Sequence, residues 1–190
     1  MLLLRSRNNG IHIVSGSVDM SVQVWDASTG AALQQLNGHN DWVNSVAFSQ
    51  DGKHIVSGSS DDSVQVWDVS TGTALQELNS HTLWVDSVAF SHDGKHIVSG
   101  SGDESVQVWD ASTGEALLQL NGHTDYVTSV AFSHDGKHIV SGSFDKSVRV
   151  WDASTGAALL QLNGHTYYVT SVAFSHDGIY IVSGSDDKSV

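Results

Sequence analysis

The sequence predicts an all-β protein made of repeated four-stranded antiparallel sheets, and three observations predict it. First, one pattern recurs every 42 residues. Trp25, Trp67, Trp109 and Trp151, each followed by Asp, stand one period apart, as do His39, His81, His123 and His165, and Phe48, Phe90, Phe132 and Phe174. Second, Val, Ser and 18 Gly run through the chain while Pro is absent, which suits short strands and tight turns better than long helices. Third, each repeat divides into four short segments of strand-like composition separated by turn residues.

The repeat can be read strand by strand. Trp42 to Ser49 (WVNSVAFS) is the innermost strand, a. Its Val46 and Phe48 fall on one face and Val43 and Ala47 on the other, which implies burial on both sides, as between stacked sheets. Asp51 and Gly52 turn the chain, Gly supplying the positive φ that a hairpin bulge needs. His54 to Ser59 returns as strand b, a short turn around Asp61 leads to strand c at Ser63 to Asp68, and Ser70, Thr71 and Gly72 turn into the outer strand d, Ala74 to Leu78. A period of about 40–45 residues with Gly-His near its start and Trp-Asp near its end marks a propeller blade. The expected architecture is therefore a partial β-propeller of about four and a half blades, in a single domain over 1–190.

Full blades are expected at 43–78, 85–120 and 127–162, with a partial blade at 1–36 holding strands b, c and d and another at 169–190. The opening MLLLRSRNNG falls where a strand a and its turn belong but keeps only Gly10 of the pattern, as a decayed or mis-started strand would. Propellers close with about 4–8 blades. The expectation is thus a fragment of a longer array, or an arc completed by a second copy. An open arc exposes edge strands and an apolar blade face, which invites self-association.

The recurrence of Gly-His, Ser-Gly-Ser, Asp and Trp-Asp over essentially the whole chain resembles the WD-repeat family of β-propellers. That resemblance implies a four-residue hydrogen-bonded set in each blade. By position the sets are His39, Ser57, Asp61 and Trp67; His81, Ser99, Asp103 and Trp109; and His123, Ser141, Asp145 and Trp151. His165, Ser183 and Asp187 would form a fourth set without Trp, and Ser15, Asp19 and Trp25 one without His. Ser57 is chosen over Ser59 on position alone. The chemistry agrees: indole N–H only donates, carboxylate only accepts, and Ser and neutral His do both, so such a set can satisfy itself in a buried place. Ser80 departs from the pattern, standing where Gly38, Gly122 and Gly164 stand. If that position needs positive φ, Ser costs roughly 1 kcal/mol there. The near-identity of the repeats also resembles the WD arrays of fungal and bacterial NACHT-type signalling NTPases, the heterokaryon-incompatibility proteins among them, which implies a sensor role.

Alternating strand directions put the d-to-a and b-to-c connections on one rim and the a-to-b and c-to-d connections on the other. The repeats differ mainly on the first rim. Asp41 and Trp42, Leu83 and Trp84, Asp125 and Tyr126, and Tyr167 and Tyr168 stand at its strand-a entrance, with Asn44 and Asp86 two residues on. Val18 and Met20, Ser60 and Asp62, Gly102 and Glu104, Phe144 and Lys146, and Asp186 and Lys188 stand in its b-to-c turns. The other rim keeps HDGK and ASTG nearly constant. Drift would scatter over both rims, so the variable rim with its aromatic anchors is read as a face that recognises other proteins. The alternative reading is a small-ligand or glycan site at the same aromatic residues.

Composition narrows the rest. Eight Lys and Arg against 21 Asp and Glu, a formal net charge of −13, argue against nucleic acid and anionic membranes. MLLLR is far shorter than the roughly 7–15 apolar residues of a signal peptide. No Cys is present, which removes thiolate metal sites and disulfides and fits a cytoplasmic protein, the nucleus remaining open. His92, Asp93 and His96, and His134, Asp135 and His138, flank hairpin turns without closing the three- or four-ligand shell that zinc needs, so no metal and no cofactor is expected. The Ser-Gly-Ser segments raise a serine nucleophile, but the same Ser, His and Asp in every blade read as architecture, and no GxxxxGK[ST] phosphate loop occurs. The expectation is not an enzyme.

Overall fold

The structure, a computed structural model, describes residues 2–6 and 10–190, with side chains described from Ile11 onward. Every regular element among them is a strand. The first sheet holds β1 (Leu2–Ser6), β2 (Gly10–Gly16), β3 (Ser21–Asp26) and β4 (Ala32–Asn37). The second holds β5 (Val43–Phe48), β6 (His54–Ser59), β7 (Val64–Asp68) and β8 (Ala74–Leu78). The third holds β9 (Val85–Phe90), β10 (His96–Ser101), β11 (Val106–Asp110) and β12 (Ala116–Leu120). The fourth holds β13 (Val127–Phe132), β14 (His138–Ser143), β15 (Ser147–Asp152) and β16 (Ala158–Asn163), and the fifth only β17 (Val169–Phe174) and β18 (Ile181–Ser185). Sequential strands pair antiparallel throughout.

The first sheet departs from the sequence expectation of strands b, c and d alone. Leu2–Ser6 takes the inner position, with Leu2 opposite Val14 and Ser6 opposite Gly10. Pairing needs only backbone N–H and C=O, so a segment that has lost the Phe and Trp of the pattern still completes the sheet. The turn expected at residues 7–9 lies outside the described residues.

Side-chain hydrogen bonds fix the hairpins. In the a-to-b turn, Ser49 Oγ donates to Asp51 Oδ1 at 2.7 Å and accepts the His54 N–H at 2.9 Å, while Gly52 takes φ +70°. In the c-to-d turn, Asp68 Oδ1 accepts the N–H groups of Ser70 and Thr71, both at 2.8 Å, and Gly72 takes φ +72°. The strained positions are elsewhere: Met20, Asp62, Glu104, Lys146 and Lys188, one in each b-to-c turn, carry side chains at φ near +70°.

Ser80 is not among them, nor are Gly38, Gly122 and Gly164, so the expected φ cost at Ser80 does not arise. Gly38 and Gly122 answer a close approach instead, whereas a Cβ on Gly164 would meet nothing within 4 Å. A Cβ on Gly38 would stand 2.7 Å from Gln65 Oε1 and 2.8 Å from Trp67. At Ser80 the neighbouring amide has turned to use the hydroxyl, Gln107 Nε2 donating to Ser80 Oγ at 3.0 Å.

The core lies between sheets. Ala47, Val56, Val64, Val66 and Leu78 of the second sheet pack on Val85, Val88, Ile97 and Trp109 of the third. The same positions recur between first and second, and between third and fourth. Inner strands β5, β9, β13 and β17 touch in succession, as blades around an axis do. The c-to-d turn of each blade rests on the preceding outer strand, Gly72 over Leu36, Gly114 over Leu78 and Gly156 over Leu120. Those leucines are 1–2 % exposed, whereas Leu162, with no such turn above it, is 40 % exposed. Trp25 at the other end is half-buried while Trp67, Trp109 and Trp151 are sealed. Both end faces of the arc are therefore open among the described residues. No described helix is long and apolar enough to cross a membrane.

Candidate functional site

Each full blade contains one continuous hydrogen-bonded chain. In the third, Trp109 Nε1–H donates to Ser99 Oγ at 2.8 Å, Ser99 Oγ lies 2.8 Å from His81 Nε2, and His81 Nδ1 lies 2.8 Å from Asp103 Oδ2. The partners set the protons. Asp103 can only accept, so Nδ1 carries the hydrogen; Nε2 then accepts from the Ser99 hydroxyl, whose lone pair takes the indole N–H. His39, Ser57, Asp61 and Trp67, and His123, Ser141, Asp145 and Trp151, join in the same way. Ser59 points elsewhere, its hydroxyl donating to the Asp41 carbonyl at 3.1 Å.

A fifth member completes each set: Ser105 Oγ donates to Asp103 Oδ1 at 2.6 Å, and its N–H adds a bond at 3.0 Å. Burial opposes ionisation of Asp103, but the bonds from His81, Ser105 and Thr82 outweigh it and hold the carboxyl well below the usual range. The Ser–His–Asp connectivity is that of a hydrolase triad, yet Ser99 is 0 % exposed and its lone pair is occupied by indole. No substrate reaches such a hydroxyl. His165, Ser183 and Asp187 connect similarly without Trp, and Trp25 donates to Ser15.

The variable rim carries a ridge of rings from adjacent blades. Trp84 meets Tyr126 edge-on at 4.9 Å between centroids, Tyr126 lies 5.8 Å from Phe144, Phe144 stacks nearly parallel on Tyr168 at 4.1 Å, and Tyr168 lies 4.3 Å from Tyr167. Trp42 stands apart, 55 % exposed, and Leu83 is exposed beside Trp84. Asp41 and Asp125 accept the N–H of Trp42 and Tyr126 and so fix the entrance to strand a. Asn44 donates to Ser60 Oγ at 3.0 Å and, across the blade boundary, to the Val85 carbonyl at 3.1 Å. Asp62, Glu104 and Lys146 project from their turns, and their side chains make no hydrogen bond or ion pair among the described residues.

Trp84 differs from Trp42 because of Gly102. A Cβ at Gly102 would lie 2.5 Å from the Trp84 indole, so the ring lies down on this turn and its Nε1–H reaches Asp86 Oδ2 at 3.1 Å. Ser60 occupies the equivalent place below Trp42. Burial pushes the Asp86 carboxyl up, against the smaller opposing effect of the indole bond.

The constant rim holds an arrangement that sequence reasoning passed over. His92 and His134 lie 3.9 Å apart between ring centroids, tilted by 46°, and His134 and His176 4.4 Å apart, tilted by 55°, and they line one cavity with Phe90, Phe132 and Phe174. Desolvation, then His92 and His176, lower the His134 pKa. The signal was the period itself, which sets equivalent residues of neighbouring blades side by side near the axis. No group of three His, Cys, Asp or Glu among the described residues is placed to hold a metal ion. The ion pairs Lys53–Asp51, Lys95–Asp93 and Lys137–Asp135 on this rim are exposed and contribute little.

Comparison with known families agrees with this geometry. The family described as "WD domain, G-beta repeat" matches residues 4–26, 30–68, 72–110, 114–152 and 156–190. The chain belongs to the WD-repeat family. Such repeats generally form protein-interaction scaffolds, and propellers of this family are generally non-enzymatic. Among relatives, the chain is 39 % identical over 44 residues to the Nuclear distribution protein PAC1 of Coprinopsis cinerea, covering 23 % of this chain and 10 % of that protein. It is 41 % identical over 39 residues to Nuclear distribution protein PAC1-2 of Postia placenta, 20 % of this chain and 9 % of that protein. The matched part spans about a tenth of these curated relatives. Each match is about as long as one WD repeat.

Within the WD-repeat frame, sequence reasoning placed Gly102 in a variable b-to-c turn but missed its role, which shows only against Trp84. It missed Ser63, Ser105 and Ser147, although a Ser two residues after each Asp was a visible regularity.

Proposed function

We propose that this chain is a recognition module that binds another protein through its variable rim. The observation that carries the reading is the ridge of Trp84, Tyr126, Phe144, Tyr168 and Tyr167: five rings in contact, drawn from neighbouring blades, and partly exposed. Large rigid rings held by a stiff scaffold lose little conformational entropy on binding and are the usual anchors of interfaces. In a longer signalling protein of the NACHT type the same rim would act as the sensor. The short PAC1 matches support a shared kind of module and say nothing of a shared partner. Tyr126→Ser with Tyr167→Ser should abolish association with a purified partner, while His134→Gln on the constant rim leaves it intact. Equal loss from both would overturn the assignment.

Exposed rings also stack on sugars, which supports the glycan reading; saturable glycan binding lost with the same rim variants would favour it instead. The open end faces support self-association. They are related by the repeat, so the face bearing Leu162 on one copy matches the face bearing Trp25 on another. A sedimentation profile that stays monomeric at high concentration would contradict that pairing.

A further inference from the structure

We propose that the corner formed by Trp84, Asp86 and Tyr126 is a niche for an arginine side chain presented by a protein partner. This rests on the reading of the variable rim as a recognition face and names the chemistry it takes.

Asp86 breaks a regularity of the repeats. At the second position of strand a, each of the other WD repeats with this rim complete places a donor. Asn44 Nδ2 donates to the Val85 carbonyl of the next blade at 3.1 Å, and Thr128 Oγ1 donates to the Val169 carbonyl at 2.6 Å. Asp86 stands at that position between them, and the equivalent carbonyl is that of Val127. An ionised carboxylate has no hydrogen to give. It is instead half-buried and accepts one bond, from Trp84 Nε1, leaving Oδ1 without a donor and not sealed from solvent. No Lys, Arg or His among the described residues pairs with it. A carboxylate removed from water without a cation is costly, and a cation supplied from outside offsets that.

The walls suit one kind of cation. The Trp84 and Tyr126 rings meet at 71°, with centroids 4.9 Å apart, and so form two sides of a corner, and the indole edge that carries Nε1 meets the Asp86 carboxylate. A planar guanidinium stacks on an aromatic face while its N–H groups point in plane at a carboxylate, and an ammonium can do only part of this. The niche is also built for the purpose locally: Gly102 lets the indole lie down, and Asp125 fixes Tyr126 through its backbone. The net charge of −13 favours approach of a basic segment.

The test uses the protein with 15N-labelled indoles, probed with acetyl-Gly-Arg-Gly-amide and with the same peptide carrying neutral citrulline. The arginine peptide should shift the Trp84 Nε1–H resonance saturably and the citrulline peptide should not. Asp86→Asn, which keeps the fold because Asn already serves at position 44, should weaken the arginine peptide by about tenfold or more, the loss of one charge-assisted hydrogen bond. Gly102→Ser should lift the indole and weaken it likewise, while His134→Gln leaves it unchanged. Equal shifts from arginine and citrulline, or undiminished binding by Asp86→Asn, would overturn the niche. A protein partner lost on Tyr167→Ser while the arginine probe stays silent would sink the niche and leave the recognition rim standing. A working niche with no partner sensitive to the rim would do the reverse.

Discussion

Replacing Ser99 by Ala removes one oxygen and isolates two buried polar groups. Ser99 Oγ accepts the Trp109 indole N–H and faces His81 Nε2, both at 2.8 Å, and all three side chains are sealed from water. The lost volume is too small for water to enter and serve both groups. Each of the two orphaned groups costs about 1–3 kcal/mol, so the variant should lose about 2–6 kcal/mol. Adding Trp109→Phe removes the orphaned donor, so the double variant should lie closer to Trp109→Phe than additivity allows, with a coupling of about 1–2 kcal/mol. Urea unfolding followed by far-ultraviolet dichroism measures both quantities. Because WD blades couple to their neighbours, the loss should spread beyond the third sheet rather than melt it alone. Ser183→Ala, in the half-exposed set without Trp, should cost clearly less. A loss from Ser99→Ala under about 0.5 kcal/mol, or additive behaviour with Trp109→Phe, would refute the buried-chain reasoning.

Three further outcomes follow from the same geometry. Asp86→Asn should stabilise by about 1 kcal/mol at neutral pH by restoring a donor toward the Val127 carbonyl. Because the folded carboxyl is raised, the wild type's stability from this group is present at low pH and is lost as pH rises through the raised value, so the gain should shrink in acid; a pH-independent difference in Tm would contradict this. Lys146→Gly, at φ +72°, should raise stability by roughly 0.5–1 kcal/mol by relieving the left-handed strain, and a fall in Tm would contradict the strain argument. His134 has the opposite sign to Asp86: its folded pKa lies below 6.5, so stability is full above that value and declines as pH falls through the folded pKa, and His134→Gln should flatten the profile between them. An unchanged acid limb would count against the lowering of the His134 pKa by desolvation and the neighbouring imidazoles.

What the sequence revealed and concealed has a physical pattern. Trp109, Asp103 and His81 were legible because a buried set must repeat its donors and acceptors together, so its spacing is rigid. Spacing alone left Ser57 and Ser59 equivalent on β6. Register separates them, Ser59 lying opposite Val43 where its hydroxyl reaches a backbone carbonyl. Leu2–Ser6 was legible only by its place, as a decayed strand a, because inner-strand pairing asks nothing of side chains beyond the backbone. The glycines before His39 and His123 read as a matter of φ, but the constraint is the nearness of Gln65 and Trp67 to Gly38 and of Arg149 and Trp151 to Gly122. The rim was legible as the variable edge, since loops tolerate change that the core does not. Its ring-to-ring contacts were not, because they join residues of different blades at offsets set by the stacking: Phe144 of one b-to-c turn lies on Tyr168 of the next strand-a entrance.

A recognition face on the variable rim, as proposed, must be covered when a partner binds. Amide hydrogen exchange of the protein with and without a purified partner tests it most directly. Protection should gather at the strand-a entrances around Trp84, Tyr126 and Tyr168 and at the b-to-c turns of Gly102 and Phe144. Protection confined to the turns around His92, His134 and His176, or to the open end faces, would contradict it.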